Sequence, residues 1–384
     1  MRMSRGEFIA LSASSMMLTA LGIDIMLPAL GSIREEFGLS ENSTATAQVI
    51  MFFFMGQIAQ IVFGIFSDRF GRLPILKVGF PLYIVGGVIA AYAPTLEWMF
   101  AARFVAGMGA SAVFMTTIAG VRDRFVGDEM ARIMSLVITI FLFTPVMAPF
   151  LGLAILQVAS WRIVFLTAPL FAVIVFLWSF RLEESLPVSQ RSELKRKTIW
   201  RAIRTVLTNK TFLRYTLVTT ILFTALSTWV ASSEHIVGTI FGKPGLFAWI
   251  FAAIGLVMSL SALTNSRLAR KYGARRSIKS LMIVYFLVAA GLMLYTLITG
   301  DPPGMMVFFI SVAILMAVNL AIEPNSSALA MEPMGNMAGI ASAVYGTMFF
   351  FIGSTLGSLI SHLMSTTVVP IILSFLLIGI TGLF

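Results

Sequence analysis

The stretch Gly64-Ile65-Phe66-Ser67-Asp68-Arg69-Phe70-Gly71-Arg72 ends one long apolar run, 44–66, and leads through the short polar segment 67–72 to a second, 74–93. Each run has about 20 residues, which as an α-helix is long enough to cross the hydrocarbon core of a bilayer. Gly71 permits a tight turn between the two helices, and the Asp68 carboxylate can accept hydrogen bonds from the arginines around it. The stretch therefore predicts two transmembrane helices joined by a short, structured loop.

The same alternation of apolar runs and polar loops continues along all 384 residues. Hydrophobic residues make up 58% of the chain and charged residues 11%, whereas soluble domains carry about 25% charged residues. Lipid offers no partner to backbone polar groups, so each run must form a helix. The sequence predicts an all-α membrane protein with twelve spans, at 8–30, 44–66, 74–93, 97–119, 132–156, 161–180, 212–236, 246–265, 278–299, 304–329, 338–361 and 366–384.

Lysine and arginine are unequally distributed between the two sides that these spans define. With the N-terminus placed inside, 23 of the 27 basic residues fall in cytoplasmic segments, three fall outside, and Arg103 lies within a span. This positive-inside pattern predicts a cytoplasmic N-terminus in a bacterial inner membrane. It also accounts for the net charge of +10 without nucleic acid, because loop cations bind anionic lipid. The first apolar run is too long for a cleaved signal peptide and is expected to be retained.

The longest polar stretch divides the spans into two sets of six. We expect helical bundles at 1–182 and 211–384, joined by a cytoplasmic linker at 183–210. The basic loop 270–276, after span 8, repeats the character of the loop after span 2, which predicts two pseudo-symmetric bundles around a midplane site. Within the linker, 194–207 forms either an amphipathic helix on the inner leaflet or an ordered connection along the bundles.

In these features the chain resembles members of the major facilitator superfamily. The most specific match is the Gly64–Arg72 stretch, which fits the superfamily signature between the second and third helices. A second match, 103–110 on span 4, has Ala106 at a position that is usually polar. The segments 324–331 and 338–343 look most like drug:proton antiporters related to bicyclomycin and chloramphenicol resistance exporters. The resemblance implies a monomeric, proton-coupled exporter of small amphipathic or drug-like molecules that works by alternating access, is not an enzyme and needs no cofactor.

The resemblance also assigns a role to the loop after span 2. It implies that this loop gates the inner side of the protein through Gly64, Asp68, Arg69, Gly71 and Arg72. The Asp68 carboxylate would face the positive N-terminal end of span 11, near residues 337–339. Such a contact would hold the inner gate shut and break when the gate opens. The alternative is a solvated loop whose charges only set the topology.

Span 5 contains Pro145 and Pro149, which predict a bent helix. Their pattern is loosely similar to the antiporter motif of the superfamily, but Thr144 stands where a glycine is usual. This departure keeps open a proton-coupled uptake carrier of the same fold. A membrane protein that does not transport is the third alternative, although no soluble domain or catalytic cluster supports it.

Two ionisable residues lie well inside the predicted spans. Asp24 in span 1 and Arg103 in span 4 each lie about seven residues from the outer end, or roughly 10 Å deep. Charges at such a depth are costly and need partners, and helices 1 and 4 line one cavity in the superfamily fold. We therefore expect Asp24 and Arg103 to pair and to couple proton binding to transport. Alternatively, Asp24 caps the helix near Pro28, and Arg103 extends to the outer surface.

Three more ionisable groups lie near the ends of spans. Glu323 precedes Pro324 in span 10, where it either binds a proton or a cationic substrate or pairs with a loop arginine at the inner surface. Glu234 and His235 end span 7 and are expected at the outer interface without a role in transport. His362 ends span 11 outside and is expected to be solvated.

The substrate cavity is expected to have a flexible wall of aromatic, methionine and amide side chains, because such surfaces suit varied ligands. The chain contains 24 methionines and 33 phenylalanines, so most of them must serve packing or face lipid. Our candidates for the wall are Met51, Phe54, Gln57, Gln60, Met115 and Phe141.

Direct use of ATP is excluded by the sequence. Gly238–Pro244 approximates a phosphate-binding loop, but its spacing is one residue short and Pro244 replaces the hydroxyl residue that binds Mg²⁺. The chain has no cysteine and two histidines, and no spacing typical of a metal site is present. The expected partners are therefore a small-molecule substrate, protons and the lipid bilayer.

Overall fold

A computed structural model describes residues 3–191 and 196–383. All regular elements in these ranges are helical. The α-helices, α1 to α16 in chain order, are Arg5–Asp24, Leu30–Glu36, Ala47–Gly56, Gln60–Phe70, Arg72–Ala91, Leu96–Arg124, Gly127–Leu156, Trp161–Ser179, Arg196–Thr208, Lys210–His235, Phe247–Tyr272, Ala274–Thr299, Met305–Met331, Ala338–Thr347, Gly353–His362 and Val369–Leu383.

Eleven helical segments of the described chain are long and apolar enough to cross a membrane. They correspond to predicted spans 1 to 11. The last predicted span is represented by α16, a shorter apolar helix of 15 residues, which rises about 22 Å; Phe384 lies outside the described residues. The all-α, multi-pass architecture predicted from the sequence is confirmed.

Three of the predicted spans are interrupted rather than continuous. The first breaks after α1 and passes through a tight 3₁₀ turn, Leu27–Ala29, into α2. The second contains a 3₁₀ turn at Gln57–Ala59, between α3 and α4, and the eleventh contains a π-helical turn at Met348–Ile352, between α14 and α15. Irregular backbone is tolerated at membrane depth only where protein or an aqueous cavity surrounds it. We therefore expect protein or an aqueous cavity, rather than lipid, around these breaks.

The described residues form two compact units. The first comprises Met1–Ala29, Phe52–Thr205 and Gly339–Thr347, and the second comprises Leu30–Met51, Val206–Ala338 and Met348–Phe384. Each unit thus combines segments that are far apart in the chain. The division into sequence-continuous bundles at 1–182 and 211–384 stays a prediction.

In the first unit, α3 and α6 approach so closely that their contact leaves no room for a side chain. A Cβ atom on Gly56 would clash with the carbonyl oxygen of Phe104, and one on Gly107 would clash with the carbonyl oxygen of Phe53. Gly109 lies equally close to the backbone of Tyr83 in α5. Small residues at these crossings allow membrane helices to associate through van der Waals contact.

In the second unit, α10 buries a column of hydroxyl side chains, which includes Thr216, Thr219, Thr220, Thr224, Ser227 and Thr228. Most of them donate to carbonyl groups of the preceding turn, as Thr220 does to Thr216 at 2.8 Å. Asn319 of α13 donates to the Leu222 carbonyl at 2.7 Å. These bonds satisfy most of the hydroxyl groups of the column inside the helical packing.

The linker contains the helix α9, Arg196–Thr208. Leu194 and Lys195, where the helix was expected to begin, lie outside the described residues. Ala202 and Val206 are buried, whereas Trp200 is 70% exposed. The helix is amphipathic, and its position on the inner leaflet stays a prediction.

Candidate functional site

The loop between α4 and α5 consists of one residue in a defined conformation. α4 ends at Phe70 and α5 begins at Arg72, so Gly71 alone makes the turn, with φ at +102°. Residues with a Cβ atom rarely adopt this conformation. A Cβ atom at this position would also clash with the Glu184 carboxylate. The predicted role of Gly71 in a tight turn is thus explained by both its backbone and its surroundings.

The Arg72 guanidinium binds two carboxylates. Its Nη1 donates to Asp68 Oδ1 at 2.6 Å, and its Nε and Nη2 donate to the two oxygens of Asp123 at 2.8 and 3.3 Å. This bidentate interaction with Asp123 fixes the relative orientation of the two side chains as well as their distance. No role for Asp123 was predicted, because an acid between two arginines carries no signal of a partner 51 positions away.

Glu184, in the segment after α8, binds the first turn of α5. Its Oε1 accepts the backbone N–H of Arg72 at 2.8 Å, and its Oε2 accepts that of Leu73 at 3.1 Å. The first N–H groups of a helix have no partner within the helix, and a carboxylate near them interacts favourably with the helix dipole. This contact was missed by sequence analysis, and it ties the start of the linker region to the loop after span 2.

Asp68 also lies against the first turn of α14. The helix begins at Ala338, and a Cβ atom added to Gly339 would lie 3.1 Å from Asp68 Oδ2. Gly64 lies one turn before Asp68, where a Cβ atom would be 3.5 Å from the Cβ of Ala343. The proximity of Asp68 to the start of span 11, implied by the family resemblance, is therefore present within the first unit. Arg69 is exposed at the end of α4.

Replacing Glu184 with alanine should loosen the start of α5 without unfolding the protein. The amides of Arg72 and Leu73 lose their acceptor, so we expect hydrogen exchange there to become about tenfold faster, as for a cost of about 1.4 kcal/mol. Hydrogen-exchange mass spectrometry of the purified protein measures this directly. The exposed neighbour Glu183 is the matched control, because its carboxylate is not the acceptor of these two bonds. Equal exchange in both variants would contradict the capping role of Glu184.

Asp24 is the last residue of α1, at the break in the first span. It is buried, with 5% of its surface exposed. Within residues 3–191 and 196–383, no hydrogen bond or ion pair to its carboxyl is found. A charge without a partner is costly at this depth. Asp24 is therefore the leading candidate for a group whose charge changes during the working cycle.

Arg103 does not form the expected ion pair with Asp24. Its Nη2 donates to the carbonyl of Gly22 at 2.7 Å, and its guanidinium carbon lies 4.3 Å from the centre of the Phe53 ring. A backbone carbonyl and an aromatic face together stabilise the buried cation. The residue is 2% exposed, so the alternative of an extension to the outer surface is also wrong. Arg103 binds the helix turn that carries Asp24, rather than its carboxylate.

Glu323 lies in α13, directly before Pro324, and is half-buried. It belongs to the second unit, whereas Asp24 and Arg103 belong to the first. Nearby in the chain, Asn325 donates to the amide oxygen of Asn265 at 2.8 Å. Both interpretations of Glu323, as an ion or substrate ligand and as a partner of a loop arginine, stay predictions.

Gln57 and Gln60 are brought together at the 3₁₀ turn in the second span. Both are buried, and Gln60 Nε2 donates to Gln57 Oε1 at 3.4 Å. The Gln57 amide nitrogen has no partner in the described part of the chain. Met51 belongs to the second unit, where it packs against Gly357. The other candidates for the cavity wall are buried or half-buried residues of the first unit: Phe54, Met115 and Phe141. The cavity itself stays a prediction.

Glu234 and Arg34 form an ion pair in the second unit, at 2.9 Å. This pair was not predicted, because 200 positions separate the two residues. His235 is 3% exposed, and its Nε2 lies 2.9 Å from the Ser365 carbonyl. His362 is exposed, as expected, but its Nδ1 also lies 3.2 Å from the Gln48 amide nitrogen.

A comparison with protein families agrees with the geometry of the loop after span 2 and with the series of membrane helices. The model of the Major Facilitator Superfamily matches residues 12–358. The chain belongs to this superfamily. As a major facilitator it is a multi-pass membrane transporter of small molecules.

Three bacterial proteins resemble the chain over most of its length. The bicyclomycin resistance protein homolog of Haemophilus influenzae is 27% identical over 361 residues, which covers 93% of this chain and 89% of that protein. The multidrug resistance protein MdtL of Escherichia coli is 29% identical over 262 residues, or 67% of this chain and 66% of that one. An uncharacterised transporter of Bacillus subtilis, YdgK, is 28% identical and covers 95% of this chain and 91% of its own.

Solved major facilitator structures share the fold. A nucleoside transporter, NupG, superposes with a TM-score of 0.74 at 14% identity and covers 97% of this chain and 98% of its own. A D-xylose–proton symporter superposes with a TM-score of 0.73 at 15% identity and covers 98% and 94%. At such identities the similarity establishes the fold and leaves the substrate open.

Proposed function

We propose that the chain exports small amphipathic or drug-like molecules across the bacterial inner membrane in exchange for protons. The observation that carries this proposal is Asp24, a buried carboxyl at a break in a membrane helix. An ionisable residue so deep in a span marks an ion or substrate pathway. Two resistance proteins resemble the chain, and they support export as the direction of transport and drug-like molecules as the substrate class.

In this proposal Arg103 positions the acid. Its bond to the Gly22 carbonyl holds the last turn of α1 and thereby keeps Asp24 at the helix break. The arginine does not pair with the Asp24 carboxyl, which stays available to a proton. A proton that enters from the outside binds a carboxylate oxygen of Asp24, and its release to the inside restores the anion. Each proton supplies about 1.4 kcal/mol per pH unit and about 2.3 kcal/mol per 100 mV, which drives the substrate outward. Glu323 serves as a second proton site or as a ligand for cationic substrates.

The remaining assignments complete the proposal. The N-terminus is cytoplasmic, and the bundles 1–182 and 211–384, joined by the linker 183–210, rock about the substrate site as a monomer. The contact of Asp68 with the first turn of α14 closes the inner side. The gating residues are those of the loop and its flanking turns: Gly64, Asp68, Arg69, Gly71 and Arg72. The substrate lies against the wall formed by Met51, Phe54, Gln57, Gln60, Met115 and Phe141.

The second candidate function is proton-coupled uptake of a metabolite. Thr144 in span 5 stands where antiporters of the superfamily usually carry a glycine, and this departure favours the alternative. The two candidate functions predict opposite directions of substrate transport, so a measurement of direction distinguishes them.

Two measurements test the proposal in sequence. Overexpression should raise the resistance of a sensitive bacterial strain to some members of a panel of chemically varied antibiotics. Those compounds are then added to everted vesicles whose interior has been acidified by respiration. An exporter will move protons out of the vesicles as the compound enters, so a pH-sensitive dye inside will report a rise in pH that a protonophore abolishes. Compound-stimulated proton movement in the opposite direction, or accumulation in whole cells, would instead establish uptake.

A further inference from the structure

The ion pair between Arg34 and Glu234 is shielded from solvent on both sides. The side chains are 8% and 14% exposed, and Arg34 Nη2 lies 2.9 Å from Glu234 Oε2. Arg34 also donates from Nη2 to the Thr46 hydroxyl at 3.3 Å and from Nε to the Ser43 carbonyl at 3.1 Å. The guanidinium is thereby fixed in one orientation, with its own loop on one side and α10 on the other.

Shielding distinguishes this pair from an ordinary surface salt bridge. Removing one partner of a buried pair is strongly destabilising, because the other charge stays behind without compensation. Exposed pairs contribute little to stability. The Arg5–Glu129 pair, at 2.8 Å with side chains 53% and 47% exposed, is of the exposed kind. Breaking the Arg34–Glu234 pair is therefore favourable only if both charges become hydrated.

A second polar contact joins the neighbouring segments of the same unit. The Gln48 side-chain oxygen accepts from the Ser358 hydroxyl, and its nitrogen lies 3.2 Å from His362 Nδ1. Arg34 and Gln48 flank the loop between spans 1 and 2, whereas Glu234 and His362 lie in the last turns of α10 and α15. The loop is thus bound at both of its ends to the ends of spans 7 and 11.

We propose that Arg34 and Glu234 form the latch of the outer gate. The ion pair holds the loop between spans 1 and 2 to the end of span 7, beside the contacts of Gln48 with span 11, and it has to break before the outer side opens. This inference rests on the proposed function, because alternating access requires a closure on each side of the substrate. In the proposed topology this loop and the ends of spans 7 and 11 are all on the outer side. The loop belongs to the first predicted bundle and the two helix ends belong to the second. Glu234 then takes part in the transport cycle.

The absence of cysteine from the chain makes a direct test simple. Ala47 is 3% exposed and follows Thr46, so an Ala47→Cys reporter is shielded while the latch is closed. We expect Glu234→Gln to raise the rate of reporter modification by a membrane-impermeant maleimide about tenfold, which corresponds to a shift of about 1.4 kcal/mol towards the open state. Labelling is measured on the purified protein in lipid nanodiscs, without substrate.

Two control variants make the outcome specific. Glu129→Gln removes a carboxylate from the exposed pair and should leave the labelling rate unchanged. The exchanged pair Arg34→Glu with Glu234→Arg keeps both charges and should restore slow labelling. Unchanged labelling in Glu234→Gln would overturn the latch. If that single variant does not fold, the exchanged pair decides the matter alone, since fast labelling of the folded exchanged protein would contradict the proposal.

Failure of the latch and failure of the proposed function give different results. Labelling needs neither substrate nor a proton gradient, so a latch can be established even if the vesicle assay finds no export. Conversely, export with normal labelling in Glu234→Gln would leave the function intact and reject the latch.

Discussion

An Asp24→Asn variant will allow its substrate to equilibrate across the membrane but will not concentrate it. Asparagine keeps the size of the side chain and removes its capacity to gain and lose a proton. One pH unit and 100 mV together supply about 3.7 kcal/mol per proton, which sustains a substrate gradient of about 500-fold for one-to-one exchange. The variant should lose this entire gradient. The measurement is the ratio of substrate concentrations across proteoliposomes with an imposed proton gradient.

Two variants make the result specific to a titrating group at position 24. Asp24→Glu retains a carboxyl and should keep part of the gradient, while Glu35→Gln removes an exposed carboxylate from α2 and should keep all of it. Downhill efflux by Asp24→Asn shows that the variant is folded. A full gradient generated by Asp24→Asn would refute Asp24 as the coupling residue.

Gly107→Ala should prevent α3 and α6 from packing at their present distance. The added methyl group would collide with the Phe53 carbonyl oxygen, which belongs to backbone and cannot rotate away. Overpacking costs about 1–3 kcal/mol even where side chains can adjust, so we expect at least about 2 kcal/mol here. The lowered stability is measured as a fall in the thermal unfolding midpoint of the purified protein.

Gly291→Ala is the matched control for this prediction. Gly291 lies inside α12, and a Cβ atom there would have no neighbour within 4 Å. Alanine favours the helix over glycine by about 0.5–1 kcal/mol, so this variant should be as stable as the parent or more so. If Gly107→Ala were equally stable, α3 and α6 would have to be further apart than described.

The helices could be predicted from the sequence because their signal is local. A run of about 20 apolar residues must form a helix in lipid whatever surrounds it. The breaks inside spans 1, 2 and 11 were not predicted. Only Pro28, the middle residue of the turn Leu27–Ala29, gave a local hint, while the turn at Gln57–Ala59 lies in an apolar helical run.

The polar partners could be predicted only in part, because they depend on which faces of distant helices meet. Residues 24 and 103 were placed at equal depth by counting along their helices. Depth does not specify rotation about the helix axis, and Arg103 points to Gly22. The roles of Asp123 and Glu184 in binding Arg72, and that of Glu234 in binding Arg34, likewise have no local signal. The contact of Asp68 with α14 was anticipated because the family resemblance supplied the missing long-range information.

The bond of Glu184 to the start of α5 has a practical consequence for anyone who modifies this chain. A fluorescent protein or affinity tag inserted between Leu182 and Leu186 would pull that carboxylate off the neighbouring helix, although the site looks like a dispensable connector. Insertion at Val188, which is 77% exposed, would spare it. When the chain is divided for co-expression as two fragments, residues 183–186 should therefore stay with the first.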